Sequence, residues 1–411
     1  MTTSFFSFLL DGLLLALIQG VAAIPWIWGL DPRAFRKLVR QPQAIPGFIG
    51  IIVIGGFGIG WLMSVQRVEV KLSQNGYYYG AILHVQLALD FLVLLPQLVL
   101  LFWPKGGAVL MSTFREAWRQ PMFWLISVIA SGLIAFSMVV PYFTFGEDYK
   151  MMKQLGFDII MLSSLMFALL SASFSINDEI EGRTAITVIS KPINRRQFLI
   201  GKYAGTLLAA WAMMLLLGWV FTWALHIKPH FDMMDDVNDT MPVEVISKLT
   251  DNLQPQKILR TTEAAAMASG AIRWFGETIA IQMGLLLAFG QVMVLLSICV
   301  ALATRLQYVV NLTICAFIFL IGHLAPVLVM ATQQLAQQSD ALKLVHFIAQ
   351  LINTVFPGLE YFDMGPAVIR DVPLAWSDFA GYVLTVLGYA VIYTAIGMII
   401  GLLLFEDRDL A

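Results

Sequence analysis

Apolar residues along this chain gather into long runs separated by short polar segments. Nine runs are of membrane-crossing length, about 18 residues or more: roughly 5–30, 46–64, 82–103, 122–141, 158–176, 203–227, 277–303, 308–332 and 379–404. Each predicts a helix across a bilayer. The polar segments between them are where the chain is specific. Two echo each other, because Phe35–Pro42 and Phe114–Pro121 share the pattern F-R-x-x-x-R-Q-P and each stands just before an apolar run. Arginines four apart share a helix face, and proline ends the segment as the chain turns into the membrane. Each copy reads as a short interfacial helix, with Phe114, Arg115, Trp118 and Arg119 as the lipid-contacting residues of the 113–120 copy.

Composition agrees with the run pattern. At 59% hydrophobic and 13% charged residues, the chain carries too little charge to cover a soluble domain. A net charge of -2 gives no basic field for nucleic acid. Cys299 and Cys315, the only cysteines, both fall inside apolar runs, which argues against a disulfide framework or a cysteine zinc site. No basic residue precedes the first apolar run, so a retained first span is expected rather than a cleaved signal peptide.

Charge then sets an orientation. If 177–202 is cytoplasmic, alternation makes 31–45, 104–121, 304–307 and 405–411 cytoplasmic as well. These segments hold 14 Lys and Arg in 70 residues, against 11 in 128 for 65–81, 142–157, 228–276 and 333–378. The asymmetry obeys the positive-inside rule. An outward N-terminus and a cytoplasmic C-terminus follow.

Two outer insertions stand out. Residues 228–276 carry Asp232, Asp235, Asp236 and Asp239, which read as solvated surface rather than a cation site. In 333–378, the apolar positions from Leu342 to Phe356 are too dense for a free loop and too short for a span, so an interfacial or re-entrant helix ending at Pro357-Gly358 is expected.

Catalytic patterns are missing. There is no G-x-x-x-x-G-K-[ST] to cradle a nucleotide and no H-E-x-x-H. His226 and His230 are four apart but straddle Pro229, a poor metal pair. Gly56-x-x-x-Gly60 and Gly397-x-x-x-Gly401 are helix-packing motifs rather than dinucleotide sites. Asp11 and Asp90 lie within N-terminal runs, while Asp158, Glu277, Asp378 and His323 lie toward outer ends. Ionisable groups inside spans invite a functional reading, but no chain of them at the midplane supports an ion-coupled relay.

The most informative stretch is Asn177–Gly205, NDEIEGRTAITVISKPINRRQFLIGKYAG, with eight formal charges in the 26 residues up to Lys202. Its order, E-x-G-x-T, then I-S-K-P-I-N-R-R-x-F, then G-K-Y-x-G, resembles the cytoplasmic loop between the second and third core helices of type-2 ABC transporter permeases. The match runs from Glu179 and Glu181 through Gly182, Thr184, Ser190, Pro192, Arg195 and Arg196 to Gly201 and Lys202, and the loop it marks includes Arg183. An interfacial helix followed by six spans agrees with that plan over roughly 113–411.

The resemblance implies an all-α polytopic membrane protein of about nine transmembrane helices. Its six-helix permease core, 113–411, would follow a three-helix extension, 1–112. It also implies that 177–202 couples the chain to a separate ATP-binding subunit. Acids before Gly182 would pair with the partner, Thr184 to Ile189 would offer an apolar face, and Arg195, Arg196 and Lys202 would settle at anionic headgroups. On this reading the chain is not itself an enzyme and holds no cofactor or metal, with ATP and Mg on the partner. It would export an unidentified substrate across the cytoplasmic membrane as a homo- or heterodimer of permease chains, in contact with the bilayer and not with nucleic acid. An ATP-independent secondary transporter and a membrane assembly scaffold are the competing readings. The first of these would need a polar midplane site.

Overall fold

The computed structural model describes residues 5–140, 142, 147–181, 193–231, 240–335, 340–363 and 375–406. Among the described residues fourteen α-helices follow one another: α1 (Phe5–Leu30), α2 (Pro32–Val39), α3 (Ala44–Val65), α4 (Glu69–Phe102), α5 (Pro104–Arg119), α6 (Pro121–Ser137), α7 (Asp148–Glu181), α8 (Arg195–Ile227), α9 (Thr240–Leu253), α10 (Pro255–Ile258), α11 (Thr262–Ala303), α12 (Tyr308–Leu335), α13 (Asp340–Val355) and α14 (Trp376–Glu406). Among the described residues there is no strand. Among the described residues eight helices are long and apolar enough to cross a membrane, and nine if the α5–α6 pair, bent by 57°, counts as one span.

Local chemistry sets the helix ends. Asp31 caps α2 by accepting the amides of Arg33 and Ala34, and Pro32 opens the helix, where a missing N–H costs nothing. Asn194 and Gln197 form a reciprocal capping box at the start of α8. The α5–α6 bend has a simple cause. Gln120 precedes Pro121 and is extended, at φ −64° and ψ 134°, because proline disfavours helical geometry in the residue before it. The interfacial helix expected over 113–120 thus ends where the sequence says but begins earlier, at Pro104.

The described helices form two compact units, with α4 and α11 contributing to both. One comprises 1–98 and 239–281. Its core gathers Phe8, Leu15, Met63 and Leu72 with Leu259, Ala264 and Met267. Helices α1 and α3 approach closely at Gly56 and Gly60, as the small-residue spacing predicts. A Cβ at Gly60 would lie 2.8 Å from the Phe8 carbonyl oxygen, and one at Gly56 would lie 2.8 Å from the Leu13 Cα. Residues 239–281 share this unit because polar side chains reach across it. Buried Asp11 accepts the Thr261 hydroxyl at 2.7 Å, the Thr261 amide at 2.9 Å and the Arg260 amide at 3.1 Å. The Thr261 hydroxyl oxygen in turn accepts the Ala264 amide in the first turn of α11. Tyr77 donates to Glu277, which also holds Arg273. Residues 262–276, assigned by sequence to an outer insertion, are helical. They make α11 a 42-residue helix, about 63 Å long at 1.5 Å per residue.

The other unit comprises 99–238 and 282–411. Aromatic pairs stitch its helices together: Phe123 with Phe167 joins α6 to α7, Phe157 with Phe221 joins α7 to α8, Trp211 with Phe289 joins α8 to α11, and Phe198 with Phe405 joins α8 to α14. Such edge and offset contacts add to the apolar burial of the rings. Gly397 and Gly401 of α14 face Ser297 and Ala301 of α11, the packing role their spacing predicts. A buried polar knot adds direction, since Asn311 donates to Ser173 Oγ at 2.9 Å and to the Cys299 carbonyl at 3.1 Å, tying α12 to α7 and α11. In an apolar interior such bonds fix register, because slippage leaves the amide unpartnered. The cysteines are both free.

The helix expected before Pro357-Gly358 is α13. After it, the Gly358 amide donates to the Tyr389 hydroxyl at 2.9 Å, and Leu359 and Phe362 pack over Gly322 and Gly290. These contacts pin the segment to α11, α12 and α14.

Candidate functional site

The charged segment between α7 and α8 is defined by its two roots, Ser175 to Glu181 and Asn194 to Lys202. The intervening Gly182, Arg183, Thr184, Ser190 and Pro192, all singled out by sequence, lie outside the described residues. Glu181 is the last residue of α7.

Lys202 joins the two roots. Its side chain is 5% exposed. The ammonium donates to Ser175 Oγ at 2.7 Å and to the Glu179 carboxylate, both on α7. Ser175 and Glu179 are four apart and so share one face of α7, one turn from each other. A third element enters through Glu116 of α5, whose Oε2 lies 3.7 Å from the same ammonium. One buried cation therefore ties α5, α7 and α8 at a single point. The expectation that Lys202 settles at lipid headgroups is corrected here. A lysine satisfied by a hydroxyl and two carboxylates gains nothing by leaving them, and its burial keeps it from the lipid surface.

Close backbone approach makes this joint possible. Gly201 and Gly205 present a bare strip of α8 on which α5 lies. A Cβ at Gly205 would sit 2.6 Å from the Leu110 carbonyl oxygen and 2.7 Å from Thr113 Cβ. One at Gly201 would sit 2.7 Å from Val109 Cβ. Any larger residue would lift α5 and carry Glu116 away from Lys202. At the bend that follows, Trp118 packs against Phe114, Phe123 and Trp124. These rings brace the angle between α5 and α6. Arg115 and Arg119 are exposed.

Arg195 and Arg196 have a different destination. Arg195 Nη1 donates to the carbonyls of Phe405 and Glu406 at 3.0 and 2.9 Å, and Arg196 Nη2 meets the Glu406 carboxylate at 2.9 Å. Arg305 adds a bond to the Leu404 carbonyl at 2.8 Å. The last turn of α14 has unpaired carbonyls and the negative end of its dipole. Three cations collect there for that reason. The Arg195 guanidinium also lies 5.8 Å from the centre of the Phe405 ring. The first two turns of α8 thus grip α5, α7 and α14 together.

Sequence reasoning picked out Glu179, Arg195, Arg196 and Lys202, and Gly205 as the end of the G-K-Y-x-G pattern, but passed over Glu116, Ser175 and Glu406. Two signals were legible: the Gly201-x-x-x-Gly205 spacing, and the i, i+4 relation of Ser175 to Glu179. Glu116 and Glu406 give no local sign of their partners. Of the remaining polar candidates, Asp232, Asp235, Asp236 and Asp239 lie outside the described residues. Among the described residues no group of three or more His, Cys, Asp or Glu is placed to hold a metal. The joint bonds helices to one another.

Eight or nine apolar helices among the described residues, with a polar joint at the root of the charged loop, define a multi-pass membrane protein. The family model described as ABC-2 family transporter protein matches residues 108–410, from within α5 to the C-terminal end. The chain belongs to this family. Membership makes it the membrane-spanning permease of an ABC transporter, a class that associates with an ABC ATP-binding subunit and with the bilayer. Neither curated proteins nor solved structures include a match to the chain.

Proposed function

We propose that the chain is the permease of an ATP-driven exporter and that 177–202 receives the power stroke from a separate ATP-binding subunit. The observation that carries this reading is the Lys202 joint. A permease without a nucleotide site of its own must take up motion by contact, and a loop whose two roots are cross-linked passes a push into both helices at once. With Glu116 on the same ammonium, the push also reaches α5. ATP and Mg belong to the partner, and two permease chains with two ATP-binding subunits form the working unit. Substrate moves along the interface of the two permeases.

The partner is expected to co-purify with the wild-type chain. Glu181→Lys and Thr184→Pro are expected to reduce co-purification and to cut permease-stimulated ATP hydrolysis by ten-fold or more, with the melting temperature of the purified chain unchanged. Full association and full stimulation in both variants would refute the coupling role.

The same reading places 177–202 in the cytoplasm of a cell bounded by its inner membrane, with an outward N-terminus, supported by the 14 of 25 basic residues that fall on the assigned inner segments. Single cysteines introduced at Val39 and Thr240, in a chain with Cys299 and Cys315 replaced by serine, test it with a membrane-impermeant thiol reagent. Position 240 is expected to react in intact cells, and position 39 only after lysis. The reverse pattern would invert the topology.

A further inference from the structure

The two F-R-x-x-x-R-Q-P segments have opposite fates, and the difference lies in the residues between the shared ones. In α5, Ala117 is 1% exposed, while Glu116 meets Lys202. In α2 the aligned residues are Leu38 and Lys37. Leu38 is 51% exposed, and no residue of α2 is buried. The charge that docks α5 is therefore reversed in α2, at the same register. A receiver for α2 must be anionic.

Among the described residues none is placed to supply one. Arg33, Arg36, Lys37 and Arg40 are all exposed, and none makes an ion pair among the described residues. Asp31 is the only acid between 31 and 45, and its carboxylate is committed to the Ala34 and Arg33 amides, which hold it below the usual carboxylate range. The position of α2 identifies what is within reach. It follows α1 by one residue and precedes α3 by four. These helices, of 26 and 22 residues, extend about 39 and 33 Å, enough to cross a hydrocarbon core of about 30 Å. A helix tethered so tightly to two spans lies at the headgroup layer, where phosphate is the prevailing anion.

We propose that α2 is an anionic-phospholipid site, with Arg33, Arg36, Lys37 and Arg40 on headgroup phosphates and Leu38 and Val39 inserted at the acyl boundary. The site is part of neither the Lys202 joint nor the matched segment 108–410, and it gives the N-terminal helices a role of their own: holding this end of the chain to charged lipid. Each base near such a surface contributes about five-fold to affinity, and the attraction weakens with salt.

The test uses the full-length purified chain with phosphatidylglycerol and, separately, phosphatidylcholine, read by native mass spectrometry. Wild type is expected to retain phosphatidylglycerol at least ten-fold more tightly than phosphatidylcholine. Arg33→Gln/Arg36→Gln/Lys37→Gln/Arg40→Gln is expected to lose the tightest-bound phosphatidylglycerol, while Lys248→Gln, which alters a base already paired with Glu244, keeps it. All four substituted side chains are exposed, so folding is not at issue. Equal retention by wild type and the quadruple variant would overturn the proposal. A photo-crosslinking residue at position 37 in native membranes gives the second reading: lipid adducts support the site, and a protein adduct would assign α2 to an acidic partner and overturn it.

Discussion

Replacing Lys202 with methionine is expected to be the most damaging single change in the permease core. The substitution keeps the apolar stem and removes the charge. Glu179 and Glu116 lose the ammonium they share, and Ser175 loses its donor. Breaking a buried pair by deleting one partner costs about 3–5 kcal/mol. The carboxylates here are only partly buried, with side chains 26% and 48% exposed, so about 2–3 kcal/mol is the better expectation once solvent screening is included. Reversible unfolding in detergent would measure it. Lys202→Met/Glu179→Gln should recover about half of the loss, because the second change removes a carboxylate that has lost the Lys202 ammonium, and the cycle should show a coupling of about 1–2 kcal/mol. Additive behaviour of the two changes would remove Lys202 from the joint. The proposed coupling role adds a functional signature: ATP hydrolysis by the partner should continue while transport falls, because on that proposal the loop would still dock but would no longer move α5.

Asp11→Ala should produce the largest effect in the other unit. One carboxylate there accepts two backbone amides and a hydroxyl, at distances from 2.7 to 3.1 Å. Alanine would leave these donors buried without acceptors, and hydrogen bonds to a charged group are worth about 1.5–3 kcal/mol each before relaxation. A net loss of about 3 kcal/mol is expected. Hydrogen exchange provides a local readout, with the Arg260 to Ala264 amides exchanging at least ten-fold faster. Asp11→Asn keeps one acceptor oxygen but turns an amide nitrogen toward the same donors, so it should fall between wild type and alanine. Unchanged exchange in Asp11→Ala would mean that Asp11 serves some purpose other than capping. The result bears on how an acid inside an apolar helix is read. Such groups suggest ion or proton pathways by default, yet this one is fully occupied by the turn that starts α11.

The two predictions also mark where sequence reasoning stopped. The spans, the bend at Pro121 and the α13 segment were legible because hydropathy and proline geometry act within a few residues. The pattern at 177–205 was legible as a family resemblance, and the family match over 108–410 agrees with it. Lys202 was given the wrong neighbours, since a lysine at a membrane boundary reads as a headgroup anchor unless its partners are visible. Glu406 is 210 residues beyond Arg196, and Arg260 is 249 beyond Asp11. No local pattern encodes such a pairing.

What the sequence determined by itself was that the chain is a series of apolar helices of membrane-crossing length, eight or nine among the described residues, and which family its core belongs to. Those properties follow from the free energy of placing consecutive side chains in hydrocarbon, which is a sum over neighbours in the chain. Only the tertiary structure decided which charges neutralise each other: Lys202 with Glu179 and Glu116, Arg195 and Arg196 with the end of α14, Asp11 with the turn before α11, and the bases of α2 with none of the described residues. A buried charge is stable only beside a specific partner, and that partner is chosen by how helices pack, through bare strips such as Gly201 and Gly205, rather than by position in the chain.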